Sequence, residues 1–190
     1  LVTGAPAEIF AQGKQAPIPV MIGSANGESG ARRLEDEIAA SGAFGFQRKL
    51  ADDMTCAGQP VYMFQLTYVP PLSRADRSVA KHGETVAYAF GTFGQSVQAQ
   101  YGLNKEVASK TSRLRRGGHG QGNANAKRED DSIAVEDSEQ GRKISTSMME
   151  YWVSFMREGK PAGKSLPQWP AHDPKSPKAM VFGNEKISVR

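Results

Sequence analysis

The sequence predicts an α/β fold, and three observations carry the prediction. A short apolar run, Pro17–Gly23, feeds a Gly/Ser turn that contains an acid. A second run, Val61–Tyr68, is rich in β-branched and aromatic residues and precedes a loop that contains His82. Later, Ile144, Met148, Trp152, Phe155 and Met156 recur at helical spacing. A parallel strand buried on both faces reads as an unbroken apolar run rather than an alternation. In open sheets of this class, functional groups gather beyond the carboxyl ends of the strands.

Each element has its own signal. Pro17-Ile18-Pro19-Val20-Met21-Ile22-Gly23 reads as a buried parallel strand, ended by Gly, Ser and Asn. The turn Ser24-Ala25-Asn26-Gly27-Glu28-Ser29-Gly30 opens a helical pattern over Ala31–Ala40, which Gly42 and Gly45 are expected to stop. Gly58-Gln59-Pro60 starts the strand Val61–Tyr68, and Pro70-Pro71 closes it. Val86, Tyr88 and Phe90 form an apolar segment that ends at Gly91. No usable periodicity appears between Gly102 and Ile144, so residues 102–145 are expected to be a flexible insertion, with proteolysis first near Arg113–Arg116 or Lys127–Arg128. The late helix is expected to use Ser147 and Glu150 as a capping box, unless it starts earlier, and to stop at Gly159 and Pro161. Ala179–Phe182, Gly183-Asn184 and Lys186–Val189 read as a hairpin.

Composition bounds the classes. The chain has 190 residues, of which 38% are hydrophobic and 23% charged, enough apolar material for one packed domain. No apolar run approaches the roughly 18 residues of a membrane span. The single cysteine, Cys56, excludes an internal disulfide scaffold and leaves the compartment open. Leu1-Val2-Thr3-Gly4 offers no initiator Met and no charged-then-apolar leader, so the expected start is mid-protein or after processing. A net charge of +4 raises the question of nucleic acid. The basic stretch from Lys105 to Arg128 runs directly into Glu129, Asp130 and Asp131, however, and such paired blocks screen each other. The basic stretch also lacks interleaved aromatics to stack on bases. Nucleic acid is therefore not an expected partner.

Three histidines are candidates for proton transfer. His119 sits in the Gly/Asn-rich stretch and reads as a polar loop residue. His172 lies in a Pro-bounded loop with no acid at metal-ligand spacing. No two histidines stand at i, i+3 or i+4, and Cys56 has no second thiol, so neither metal nor cofactor is implied. His82, on a loop beyond a well-formed strand with an apolar segment behind it, is well placed for a general base, although a loop histidine taken alone is more often a surface residue.

Three blocks then carry a resemblance. Pro19–Gly23 with Asn26-Gly27-Glu28-Ser29-Gly30, Gly58–Phe64 with His82 and Tyr88-Ala89-Phe90-Gly91, and Met148–Phe155 with Gly159-Lys160-Pro161 and Trp169-Pro170 resemble, in that order, the C-terminal part of the type-B carboxylesterases. The resemblance implies an incomplete α/β-hydrolase fold spanning residues 1–190. It implies a small ester as substrate, with Glu28 as the triad acid and His82 as the triad base. Because this fold orders its triad as Ser, acid, His, the nucleophile would lie upstream of Glu28. The carboxylate usual three residues after the triad histidine is Thr85 here, and Glu84, one position early, is expected to be a loop carboxylate. Two alternatives stand beside this reading. Gly27-Glu28-Ser29-Gly30-Ala31 approximates the G-x-S-x-G elbow, which would make Ser29 the nucleophile and exclude Glu28 as the acid. A non-catalytic, carboxylesterase-like binding module would keep the fold without the reaction.

Overall fold

The computed structural model describes residues 4–27, 43–93 and 137–190. In chain order these form helix α1 (Pro6–Ala11), strand β1 (Val20–Ala25), helix α2 (Ala43–Cys56), strand β2 (Val61–Leu66), a 3-10 turn (Pro71–Ala75), helix α3 (Glu84–Phe90), helix α4 (Glu139–Glu158) and strands β3 (Met180–Phe182) and β4 (Ile187–Val189). The sheet order is β1-β2-β3-β4. β1 and β2 run parallel from Val20 opposite Val61 to Ala25 opposite Leu66. β3 adds parallel to the end of β2, Phe64 opposite Met180, and β4 returns antiparallel. The parallel strand, the strong strand and the hairpin thus stand where the sequence puts them, with β1 two to three residues later than its apolar run.

All six residues of β2 are buried, because helices cover both faces of the sheet. Its period of two divides the core. Val61 and Met63 join Ala51 and Met54 of α2 on one face. Tyr62, Phe64 and Leu66 join Ile144, Met148 and Tyr151 of α4, together with Trp169 and Phe182, on the other. Trp169 anchors that second layer, edge-on to Tyr151 at 5.0 Å and to Tyr62 at 6.5 Å. The Tyr151 hydroxyl donates to the Pro167 carbonyl at 2.6 Å, and burial, helped by the charge of Glu150, pushes its pKa up to about 12.

Two helices form where the sequence predicts no element, and one predicted boundary moves. Residues 43–56 form a helix, although Gly42 and Gly45 read as a stop. An i,i+4 pair, Lys49 with Asp53, supports its exposed face, and Leu50, Ala51 and Met54 supply its buried one. The apolar segment after His82 is helix α3, closed at Gly91. Helix α4 begins at Glu139, inside the stretch read as an insertion, and its cap is Ser138, whose Oγ accepts from the Gly141 N–H. Ser147 instead donates to the Lys143 carbonyl one turn back. Residues 28–42, which hold the Ala31–Ala40 helical pattern, and 94–136, which hold the rest of the 102–145 stretch and its charged blocks, lie outside the described residues.

Candidate active site

The carboxyl ends of β1 and β2 meet the histidine loop. β1 runs on through Asn26, whose N–H donates to the Leu66 carbonyl, into Gly27. Gly27 forms an isolated parallel bridge with Lys81. The backbones touch there: a Cβ on Gly27 would lie 2.2 Å from the Ala80 carbonyl oxygen, so only glycine fits. The next residue in one segment is Glu28 and in the other is His82. Glu28, Ser29 and His119 lie outside the described residues.

His82 is exposed, and the loop beneath it is tied down by side chains. Ala80 is fully buried, and its N–H donates to Asn26 Oδ1 at 2.8 Å. The Lys81 N–H donates to Glu84 Oε2 at 2.9 Å. Gly83 then takes φ 83°, the left-handed conformation that turns the chain from His82 directly into α3. Glu84 corrects the expectation of a loop carboxylate. It is 1% exposed at the first turn of α3 and paired bidentately with Arg77, at 2.5 and 2.9 Å. Arg77 also donates to the Val79 carbonyl. A carboxylate can be buried so deeply because a guanidinium fork and a backbone N–H take up its oxygens. Sequence reasoning missed Arg77 altogether. Its signal was an arginine seven residues before an acid, across a short loop that ends in glycine.

His172 sits at the other end of the sheet. Its backbone N–H donates to the carbonyl of Val61, the first residue of β2, and its fully buried ring donates from Nε2 to Asp52 Oδ1 at 2.6 Å. β2 has six residues and so spans about 16 Å. The ring therefore locks the Trp169–Asp173 loop onto α2, away from the strand ends that carry the histidine loop. Beside that loop, α3 and α4 leave an open apolar groove of about 540 Å³ against β1, lined by Met21, Phe64, Val86, Phe90, Trp152 and Met156. Among the described residues no group of His, Cys, Asp and Glu could hold a metal ion, and no helix is long and apolar enough to cross a membrane.

No protein-family model matches the chain. It is similar to carboxylesterase 1E of Mus musculus, 28% identical over 122 residues, which make up 63% of this chain and 15% of that protein. It is similar to liver carboxylesterase 1F of Rattus norvegicus, 27% identical over 134 residues, 70% of this chain and 18% of the relative. The chain thus spans less than a fifth of the length of these curated relatives. Among solved structures, a PNB esterase superposes with a TM-score of 0.60 and 14% identity, over 100% of this chain and 39% of that one. A carboxylesterase of Geobacillus stearothermophilus superposes at 0.54 with 20% identity, over 97% and 40%. The chain is a relative of the carboxylesterases and carries part of an α/β-hydrolase fold.

Proposed function

We propose that this chain is the C-terminal part of a serine carboxylesterase, in which His82 is the general base and Glu28 the acid that orients it. The observation that carries the reading is the parallel bridge between Gly27 and Lys81, which brings the residues just before Glu28 and His82 into backbone register. The chemistry follows from the residue types. A serine supplied by a preceding segment attacks the ester carbonyl. His82 takes the serine proton and later returns it to the departing alcohol. Glu28 holds the imidazole in one tautomer and stabilises the imidazolium. Water, deprotonated by the same histidine, then releases the acid.

The test joins the chain to the serine-bearing segment of its full reading frame and measures hydrolysis of p-nitrophenyl acetate alongside fluorophosphonate labelling. Expected are turnover and one labelled serine, upstream of Glu28. Stoichiometric label on Ser29 would transfer the nucleophile there and remove Glu28 as the acid. A folded protein with neither label nor turnover would return the non-catalytic binding module.

A further inference from the structure

We propose that Asn26 is a positioning residue for His82, its side-chain amide replacing a missing rung of the sheet between the end of β1 and the histidine loop. The proposal rests on the reading of His82 as the base. β1 ends its ladder with the Asn26 N–H on Leu66, so its last rung to β2 is spent at this residue. The loop then meets the chain just past the end of β1, where the Ala80 N–H donates to Asn26 Oδ1 at 2.8 Å. Ala80 is fully buried, so its N–H has no solvent to turn to. One residue on, Gly27 and Lys81 are bridged, and after them stand Glu28 and His82. Asn26 is thus the side chain that ties the approach to His82 to the element leading to the proposed acid. The Arg77–Glu84 pair holds the same loop from its own side only. An acceptor of this reach is required: leucine fills the space without accepting, serine is too short, and aspartate accepts as the amide does.

The experiment uses the 190-residue chain and two nuclear magnetic resonance readouts. In Asn26→Leu, amide exchange at Ala80 should accelerate at least tenfold while Val61–Leu66 keep their protection, and the His82 ring Cε1–Hε1 resonance should move and broaden. Asn26→Asp should restore both. If Asn26→Leu does not fold, Asn26→Ser is the variant read, with the same expectations. A His82 ring signal that stays in place while Ala80 exchanges faster would reduce Asn26 to a structural role and overturn the proposal. Failure of Asn26→Asp to restore the ring signal would do the same. In the full reading frame, Asn26→Leu should lower kcat tenfold or more with KM unchanged, and an unchanged kcat overturns the proposal. Separately, full activity in His82→Ala would sink the catalytic reading itself, whatever the Ala80 and ring signals do.

Discussion

Glu84 and Tyr151 both hide an ionisable group, one held by an ion pair and the other by a single hydrogen bond. Glu84 is buried as a carboxylate, tolerated because Arg77 and the Lys81 N–H occupy its oxygens. Removing the arginine leaves the charge behind. Arg77→Met should therefore cost about 3–5 kcal/mol in urea unfolding, whereas Arg77→Met combined with Glu84→Leu should recover most of the loss, since an apolar pair of similar volume replaces an ion pair at little net cost. A single-variant cost below about 1 kcal/mol would mean that water screens the pair, as at a surface. Tyr151 is buried in its neutral form. Its folded pKa, about 12, lies above the value of roughly 10 for a free tyrosine. The folded chain thus holds the proton more tightly, so this contribution is fully present below pH 10 and is lost as pH rises towards 12. Tyr151→Phe should flatten that alkaline decline. It should also cost about 1–3 kcal/mol at neutral pH, because the Pro167 carbonyl loses its donor. A decline of the same steepness in both proteins would assign it to other groups.

Among the elements, helix α4 offers the sharpest contrast between what was readable and what was not. Its apolar stripe and its stop were plain: Gly159 takes φ 67° and its N–H closes on the Phe155 carbonyl. Its start was not, because the first turns carry Glu139, Gln140, Gly141 and Arg142 and show no apolar period. They are held by tertiary contacts instead. A Cβ on Gly141 would press on the capping Ser138 Oγ at 2.9 Å, with the Tyr88 and Tyr68 rings in contact beyond it, and Tyr68 Oη lies 2.8 Å from that same Oγ. Ser138→Ala should cost about 0.5–2 kcal/mol by the loss of a cap, and Ser147→Ala, deep inside the helix, close to nothing. Equal costs in thermal unfolding would place the working cap elsewhere. Helix α2 escaped for a different reason. Gly45 was weighed as a breaker, although one glycine costs a helix only about 1 kcal/mol, and the burial of Leu50, Ala51 and Met54 against β2 outweighs it. Strand β2 was legible because a parallel strand buried on both faces is mostly apolar, and β1, though half-buried along most of its length, because it opens on Val20-Met21-Ile22. The register that brings Gly27 to Lys81 was not, since it depends on a backbone approach that leaves only a glycine in the sequence.

Across the whole molecule the two described histidines stand at opposite ends of the sheet, and that separation sets the ranking expected of an active enzyme. His82 follows the carboxyl ends of β1 and β2, on a loop fastened by Asn26 and Glu84. His172 hangs from the first residue of β2 and is spent on Asp52. In the full reading frame, the proposed triad predicts that His82→Ala reduces kcat by about 10⁶-fold, the loss of the base, and that Glu28→Gln reduces it by about 10⁴-fold, the loss of the group that orients that base. His172→Ala should behave unlike either. It strips α2 of its tie to the Trp169–Asp173 loop, so the midpoint of unfolding should fall, but the fraction that remains folded should turn over within a few-fold of the parent. Asp52→Asn should share that pattern, since it disturbs the same contact from the helix side. Initial rates normalised to folded protein by circular dichroism separate the two kinds of loss. A normalised kcat that collapses in His172→Ala while His82→Ala keeps turning over would move the base to the far end of the sheet. The Gly27–Lys81 bridge would then be a structural join with no part in the reaction.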